Sequence, residues 1–214
     1  MGWGIRGQYG HETGAMIAGV LLCSVLALLF ASRFGSAQIV RAVAWGTVAI
    51  GFGGSMTYGQ TVGLTHNSNM VGNTPALLWG LLGLAIKGGL WIGFCGAFLG
   101  MGLSGIRYRT REILTIYATM LCACALGIAA FNEPYNPAQR LLPKIYFSAD
   151  WRWTPDVTAE VLKPRRETWG GFLAAMAVLL VWLAWIRRDG LATRLGLWGL
   201  LGGAVGFPLG QCLQ

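Results

Sequence analysis

"PALLWGLLGLAIKGGLWIGFCGAFLGMGL", residues 75–103, runs for 29 residues with one charged side chain, Lys87. At 1.5 Å per residue a helix of that length extends about 43 Å. The hydrocarbon core of a bilayer is only about 30 Å thick. A membrane β-strand would be a ten-residue stretch of alternating polarity, and this run is continuous, so it reads as a membrane-spanning helix. Its excess length allows a strong tilt, a break at Lys87-Gly88-Gly89, or a re-entrant hairpin. A hairpin would carry Arg107, Arg109 and Arg111 to the opposite side from the other loop arginines. A single crossing, open to a break at the glycines, is the form that keeps the charge pattern intact.

The rest of the chain has the same character. Of its 214 residues, 55% are hydrophobic and 11% charged, against about 25% charged in an average soluble domain. Apolar periodicity and length predict an all-α polytopic bundle of six spans, at 14–32, 37–55, 75–103, 112–131, 169–186 and 191–212. Only Arg6 precedes the first span, set among glycines and polar residues, so a membrane span is favoured over a cleaved signal. The net charge of +8 is spread over short connections, with no clustered basic domain of the kind that binds nucleic acid. Five cysteines (Cys23, Cys95, Cys122, Cys124 and Cys212) lie within apolar runs without metal-ligand spacing, which predicts small apolar packing residues. No metal and no cofactor is predicted.

Arg33 and Arg41 flank the first connection, Arg107, Arg109 and Arg111 fill the third, and Arg187, Arg188 and Arg194 surround the fifth. The second, "MTYGQTVGLTHNSNMVGNTP", has no charged residue apart from its histidine. Short Lys/Arg-rich loops stay cytoplasmic, so the N-terminus and residues 132–168 are expected on the outer side of a plasma or inner membrane. The 132–168 connection holds five of the seven prolines, with six basic and five acidic residues. It reads as an ordered outer cap, with a short amphipathic piece around 138–147 and with Tyr135, Tyr146, Trp151 and Trp153 at headgroup level.

"HETGAMIAGVLLCSVLALLFASRFG" and "RETWGGFLAAMAVLLVWLAWIRRDG" share ordered landmarks. Glu12-Thr13 aligns with Glu167-Thr168, Arg33 with Arg188 and Gly35 with Gly190, and further on Arg41-x-x-x-Trp45-Gly46 with Arg194-x-x-x-Trp198-Gly199. This suggests an internal repeat, with 1–131 as a first membrane unit, 132–168 as the outer loop and 169–214 as the start of a second unit that is truncated here. In each unit Glu-Thr then serves a helix start, Thr as N-cap and Glu in the first turn.

The polar residues within or beside the spans are the candidate sites. Glycines 89, 93, 96 and 100, and again 199, 203, 206 and 210, keep to one helix face. Such faces let backbones pack closely within one chain, between copies of it, or against partner helices. Lys87 carries a charge inside the bilayer at a cost of about 2.5–3.5 kcal/mol. No carboxylate falls mid-span, so backbone carbonyls or a cavity are its expected partners. A transporter-like or channel-like protein follows, in which Lys87, Gly88, Gly89, Tyr58, Gln60 and Asn67 bind a small polar or anionic ligand. The alternative is a membrane-embedded enzyme acting at the outer face through His11, Glu12 and His66 on a glycan or lipid-linked substrate. His11-Glu12 is not part of an HExxH motif. A third reading is a structural subunit whose glycine faces recruit other helices.

Overall fold

A computed structural model describes residues 8–30, 33–54, 56, 58–154 and 163–213. Arg6 and Pro155 lie outside them. Among the described residues seven α-helices follow one another: α1 His11–Phe30, α2 Ser36–Gly54, α3 Gly59–His66, α4 Thr74–Leu103, α5 Thr110–Phe131, α6 Trp169–Val181 and α7 Gly190–Cys212. A π-helical turn, Trp182–Ile186, extends α6. Among the described residues there is no strand. Five helices, α1, α4, α5, α6 with its π turn, and α7, are long and apolar enough to cross a membrane. The predicted second span meets that test only as α2 together with α3, bent by 65° between them. Leu28, Leu126 and Trp198 are 81, 72 and 70% exposed, an outward apolar surface suited to lipid. The chain is thus an integral membrane protein by the length and apolarity of its helices.

Helix α4 is the axis of the bundle. It packs on α2, α3, α6 and most extensively on α7, while α1 rests on α2 and α5 on α6. Nineteen of its 30 residues are buried. Successive long helices run antiparallel, so the molecule has two ends. Loops 33–35, 104–109 and 187–189 lie at the arginine end. The start of α1, helix α3 and residues 132–154 and 163–168 lie at the cap end.

The single crossing of α4 is unbroken; the helix is continuous through Lys87-Gly88-Gly89. Those glycines are used for close packing instead. A Cβ on Gly88 would meet the Gly203 carbonyl and Phe207, and one on Gly89 would meet the Leu200 carbonyl. Gly96 and Gly100 face the backbone at Leu195 and Ala192, and Gly199 and Gly203 face Ile92 and Gly88 in return. The second stripe is only half engaged, because Gly206 and Gly210 have nothing within 4 Å of an added Cβ.

The bend comes after α2. Trp91 Nε1 donates to the Ile50 carbonyl at 2.6 Å, and the Tyr58 hydroxyl donates to the Gly53 carbonyl at 3.2 Å. These bonds occupy carbonyls that end the helix. Gly53 accepts no side chain because the Trp91 ring fills that space. At the start of α1 the N-cap expectation fails: the helix begins at His11, which puts Thr13 inside the first turn. Thr168 does occupy the N-cap position of α6, without a side-chain bond.

A methyl group added at Gly96 has rigid backbone to displace, whereas one at Gly206 does not. Gly96→Ala is expected to lower stability by about 1–3 kcal/mol. Gly206→Ala is expected to be neutral or to raise it by up to about 1 kcal/mol through helix propensity. Thermal unfolding in detergent, followed by tryptophan fluorescence, compares the two.

Candidate functional site

Lys87 is 2% exposed, and it has a carboxylate partner after all. Its Nζ donates to Glu167 Oε1 at 2.5 Å and to Thr61 Oγ1 at 2.7 Å. Ser148 Oγ donates to the same carboxylate oxygen at 2.7 Å, and the Phe147 backbone N–H donates to Oε2 at 2.9 Å. Thr61 and Ser148 oxygens lie 3.3 Å apart. The Ser148 proton goes to the carboxylate, which can only accept, so Thr61 donates to Ser148. Lysine, threonine, serine and glutamate therefore form a closed ring of hydrogen bonds. The Glu167 side chain is 0% exposed, and Thr61 and Ser148 are fully buried as well.

Helix lengths explain why these groups meet. About 24 Å of α4 separates Lys87 from Leu103 at the arginine end, and α6 with its π turn climbs about 26 Å from Ile186 to Trp169. Glu167, just before α6, is thus almost level with Lys87. A helical side chain leans toward its own N-terminus, which for Lys87 is the cap end. Beyond Lys87, α4 rises a further 20 Å or so, bound by α3 and the cap. The expectation that no carboxylate reaches Lys87 overlooked residues outside the apolar runs.

Among the described residues of the cap, or plug, 132–154 and 163–168, regular structure is limited to short turns and one isolated bridge. The amphipathic piece expected around 138–147 is absent: a 3-10 turn covers Pro137–Gln139 and stops at Arg140, whose φ is +54°. Residues 146–150 then enter the bundle with Tyr146, Phe147, Ser148 and Asp150 buried. Tyr146 is therefore packed inside the protein rather than displayed on its surface. Its carbonyl accepts from Trp79 Nε1 at 2.8 Å, and its hydroxyl donates to the Arg165 carbonyl at 2.8 Å. Burial, followed by the nearby Glu167 charge, pushes the Tyr146 phenol pKa up. Gly83 on α4 leaves room for the Phe147 side chain.

Gln60 holds both ends of the plug. Its Nε2 donates to the Lys163 carbonyl at 2.8 Å, its Oε1 accepts from Arg165 N at 3.0 Å, and its own carbonyl accepts from Ala149 N at 3.1 Å. Nearby, Asn132 Oδ1 accepts from Gly170 N at 3.0 Å, which joins α5 to α6. Asn132 Nδ2 and Trp169 Nε1 are buried without a hydrogen-bond partner in that junction.

The other predicted site residues are dispersed. Gly88 and Gly89 pack on α7 as described. Tyr58 is 2% exposed, its ring stacked on Phe207 and tilted against Trp91. Asn67 ends α3 and, with His66, lines a shallow pocket at the cap end. His66 Nδ1 lies 3.3 Å from Gln211 Nε2 on α7. His11 and Glu12 are exposed at the start of α1. Among the described residues, no three His, Cys, Asp or Glu side chains cluster to hold a metal. Cys23 and Cys95 are buried with their sulfurs 4.0 Å apart, while Cys122 and Cys212 are exposed.

The arginine end has its own clasp. The Tyr108 hydroxyl donates to Asp189 Oδ2, and Asp189 Oδ1 accepts from Ala192 N at 3.0 Å, capping α7. Arg187 lies 5.1 Å over the Tyr108 ring and donates to Glu112 at 2.8 Å. Burial, then the bond to Asp189, pushes the Tyr108 phenol pKa up, so it stays protonated as a donor.

Comparison with protein-family models, curated proteins and solved structures returns no match.

Removing one member of a buried ion pair leaves the other charge uncompensated, at a cost of about 3–5 kcal/mol. Glu167→Ala is expected to lose that much stability, and the double variant Lys87→Met with Glu167→Gln to lose clearly less. Melting temperatures of the two variants in the same detergent check this; equal losses would show that Lys87 does not depend on Glu167.

Proposed function

We propose that the protein is a transporter-like membrane protein for a small anionic solute, with the Lys87 site at its polar centre. The observation that carries this reading is the set of donors around one carboxylate, far inside an otherwise apolar bundle. The Lys87 ammonium, the Ser148 hydroxyl and the Phe147 N–H all point at Glu167, and Thr61 orients the first two. Ionisable groups within membrane bundles are costly and commonly mark ligand or ion paths. In this reading Glu167 is the resident occupant of an anion site, attached to a loop. A solute carboxylate or phosphate replaces it when Phe147, Ser148 and Glu167 withdraw toward the cap end, and Lys87 then pairs with the solute.

Two further features support the reading. Asn132 Nδ2 and Trp169 Nε1 add unused donors at the same junction. The described part of the plug is held by hydrogen bonds centred on Gln60. The proposed repeat accords with transporter architecture, and the arginine distribution favours the cap end as the outer side. No comparable observation favours the His11, Glu12 and His66 enzyme reading.

In proteoliposomes, the purified protein is expected to take up at least one labelled anion from a panel of phosphate, sulfate, lactate and glutamate, with saturation. Lys87→Met is expected to lower that uptake by at least tenfold, since about 1.4 kcal/mol of lost solute binding already corresponds to that factor. Ser148→Ala keeps the ion pair and is expected to change the half-saturating concentration. Unchanged uptake in Lys87→Met, or no uptake of any anion by the wild type, would remove the reading. Reporter fusions in residues 67–73 and 104–109 test the orientation, with the first expected outside and the second inside.

A further inference from the structure

A cleft of about 140 Å³ opens between α2, α4, α5 and α6. Its floor is buried, formed by Phe94 and Phe98 of α4 with Phe172 of α6. Its rim is half-exposed, with Val48 and Phe52 on α2 facing Tyr117 on α5. Phe52 and Phe172 close one end with ring centroids 5.1 Å apart, and Phe98 and Tyr117 form the other at 5.9 Å. The Tyr117 hydroxyl is the only oxygen on the lining side chains. A dry apolar void of about this size holds a molecule of benzene, so the cleft accepts a segment of hydrocarbon chain.

Charge lies in line with the slot. Arg41 is seven residues before Val48 and eleven before Phe52, which puts all three on one face of α2, with Arg41 about 10 Å nearer the arginine end. Its Nη2 donates to the Gly102 carbonyl at 3.2 Å, which steadies an exposed guanidinium that has further donors to offer. Arg107, Arg109 and Arg111 are exposed at the same end. The two acidic side chains there are already engaged, Glu112 by Arg187 and the Arg109 N–H, and Asp189 by Tyr108.

We infer that this cleft binds an anionic glycerophospholipid of the surrounding membrane, one acyl chain lying between Val48 and Tyr117 and the headgroup phosphate at Arg41. A guanidinium suits phosphate through charge-assisted hydrogen bonds, and the cationic end favours anionic over zwitterionic lipid. A second copy of the chain seated there in the same orientation would set its own arginines against these. The site is separate from the Lys87 ring and does not depend on the transport reading.

The test is native mass spectrometry of the detergent-purified protein, mixed with equal amounts of dioleoyl phosphatidylglycerol and dioleoyl phosphatidylcholine. The wild type is expected to retain one phosphatidylglycerol with about fivefold preference. Arg41→Gln is expected to bring the ratio close to one. Val48→Trp, at a lipid-exposed rim position that does not carry the fold, is expected to cut retained phosphatidylglycerol severalfold. Equal retention of both lipids by the wild type, an unchanged ratio in Arg41→Gln, or full retention in Val48→Trp would each overturn the proposal.

Discussion

An ammonium group without water must be given an opposite charge and hydrogen-bond acceptors, and meeting that demand at Lys87 organises the cap end of this molecule. The carboxylate comes from the residue pair just before α6, so α6 has to begin at the level of Lys87 rather than at the level where α4 begins. The chain between α5 and α6 must then descend to that depth. Residues 146–150 do so as irregular backbone, which is tolerated within a membrane protein only when its polar groups are satisfied internally. Gln60, Tyr146 and Trp79 satisfy part of that backbone. A charge on one helix thus sets the starting level of another and the course of a loop of more than 30 residues.

The same helix has to be reached from several sides, and its composition reflects that. A helix that packs on four neighbours cannot carry large side chains in every direction. Glycines on the α7 side bring backbones together at Gly88, Gly96 and Gly100, while Trp91, Phe94 and Phe98 fill the spaces toward α2 and α6. Without a hydrophobic driving force between helices in lipid, close backbone packing and buried polar bonds must hold the bundle. Both kinds of contact run through α4.

Much of this was legible in the residues. Length and apolarity located the long helices, because those quantities are set by the bilayer and need no partner to be read. The glycine steps of four and three on α4 correctly indicated a packing face, since a helical period is a local property. The partner of Lys87 was hidden for the opposite reason. Glu167 stands beside Arg165 and Arg166 in a proline-rich connection, and nothing local distinguishes it from Glu12 at the start of α1, which is exposed. A hint existed in the geometry of helices: Lys87 leans toward the start of α4, so its partner had to come from the cap end, where Glu12, Glu133 and Glu167 each stand beside a span. Thr61, Ser148 and Phe147 left no comparable trace, because their roles depend on where an irregular loop enters the bundle.

Two carboxylates are buried in loops next to α-helices, and the difference between their settings separates the two ends. Asp189 caps α7 through Ala192 N and fastens the neighbouring loop through Tyr108. Releasing it would leave an N-terminal amide of the helix unsatisfied, so the arginine end is a fixed joint. Glu167 caps no helix; its partners are a lysine on α4 and the hydroxyl and amide of the plug. In the proposed exchange, Phe147, Ser148 and Glu167 would reach water with the plug, and Lys87 would pair with the solute instead. On the proposed reading the exchangeable negative charge is therefore the one at the cap end, paired with Lys87, and not the one that caps α7.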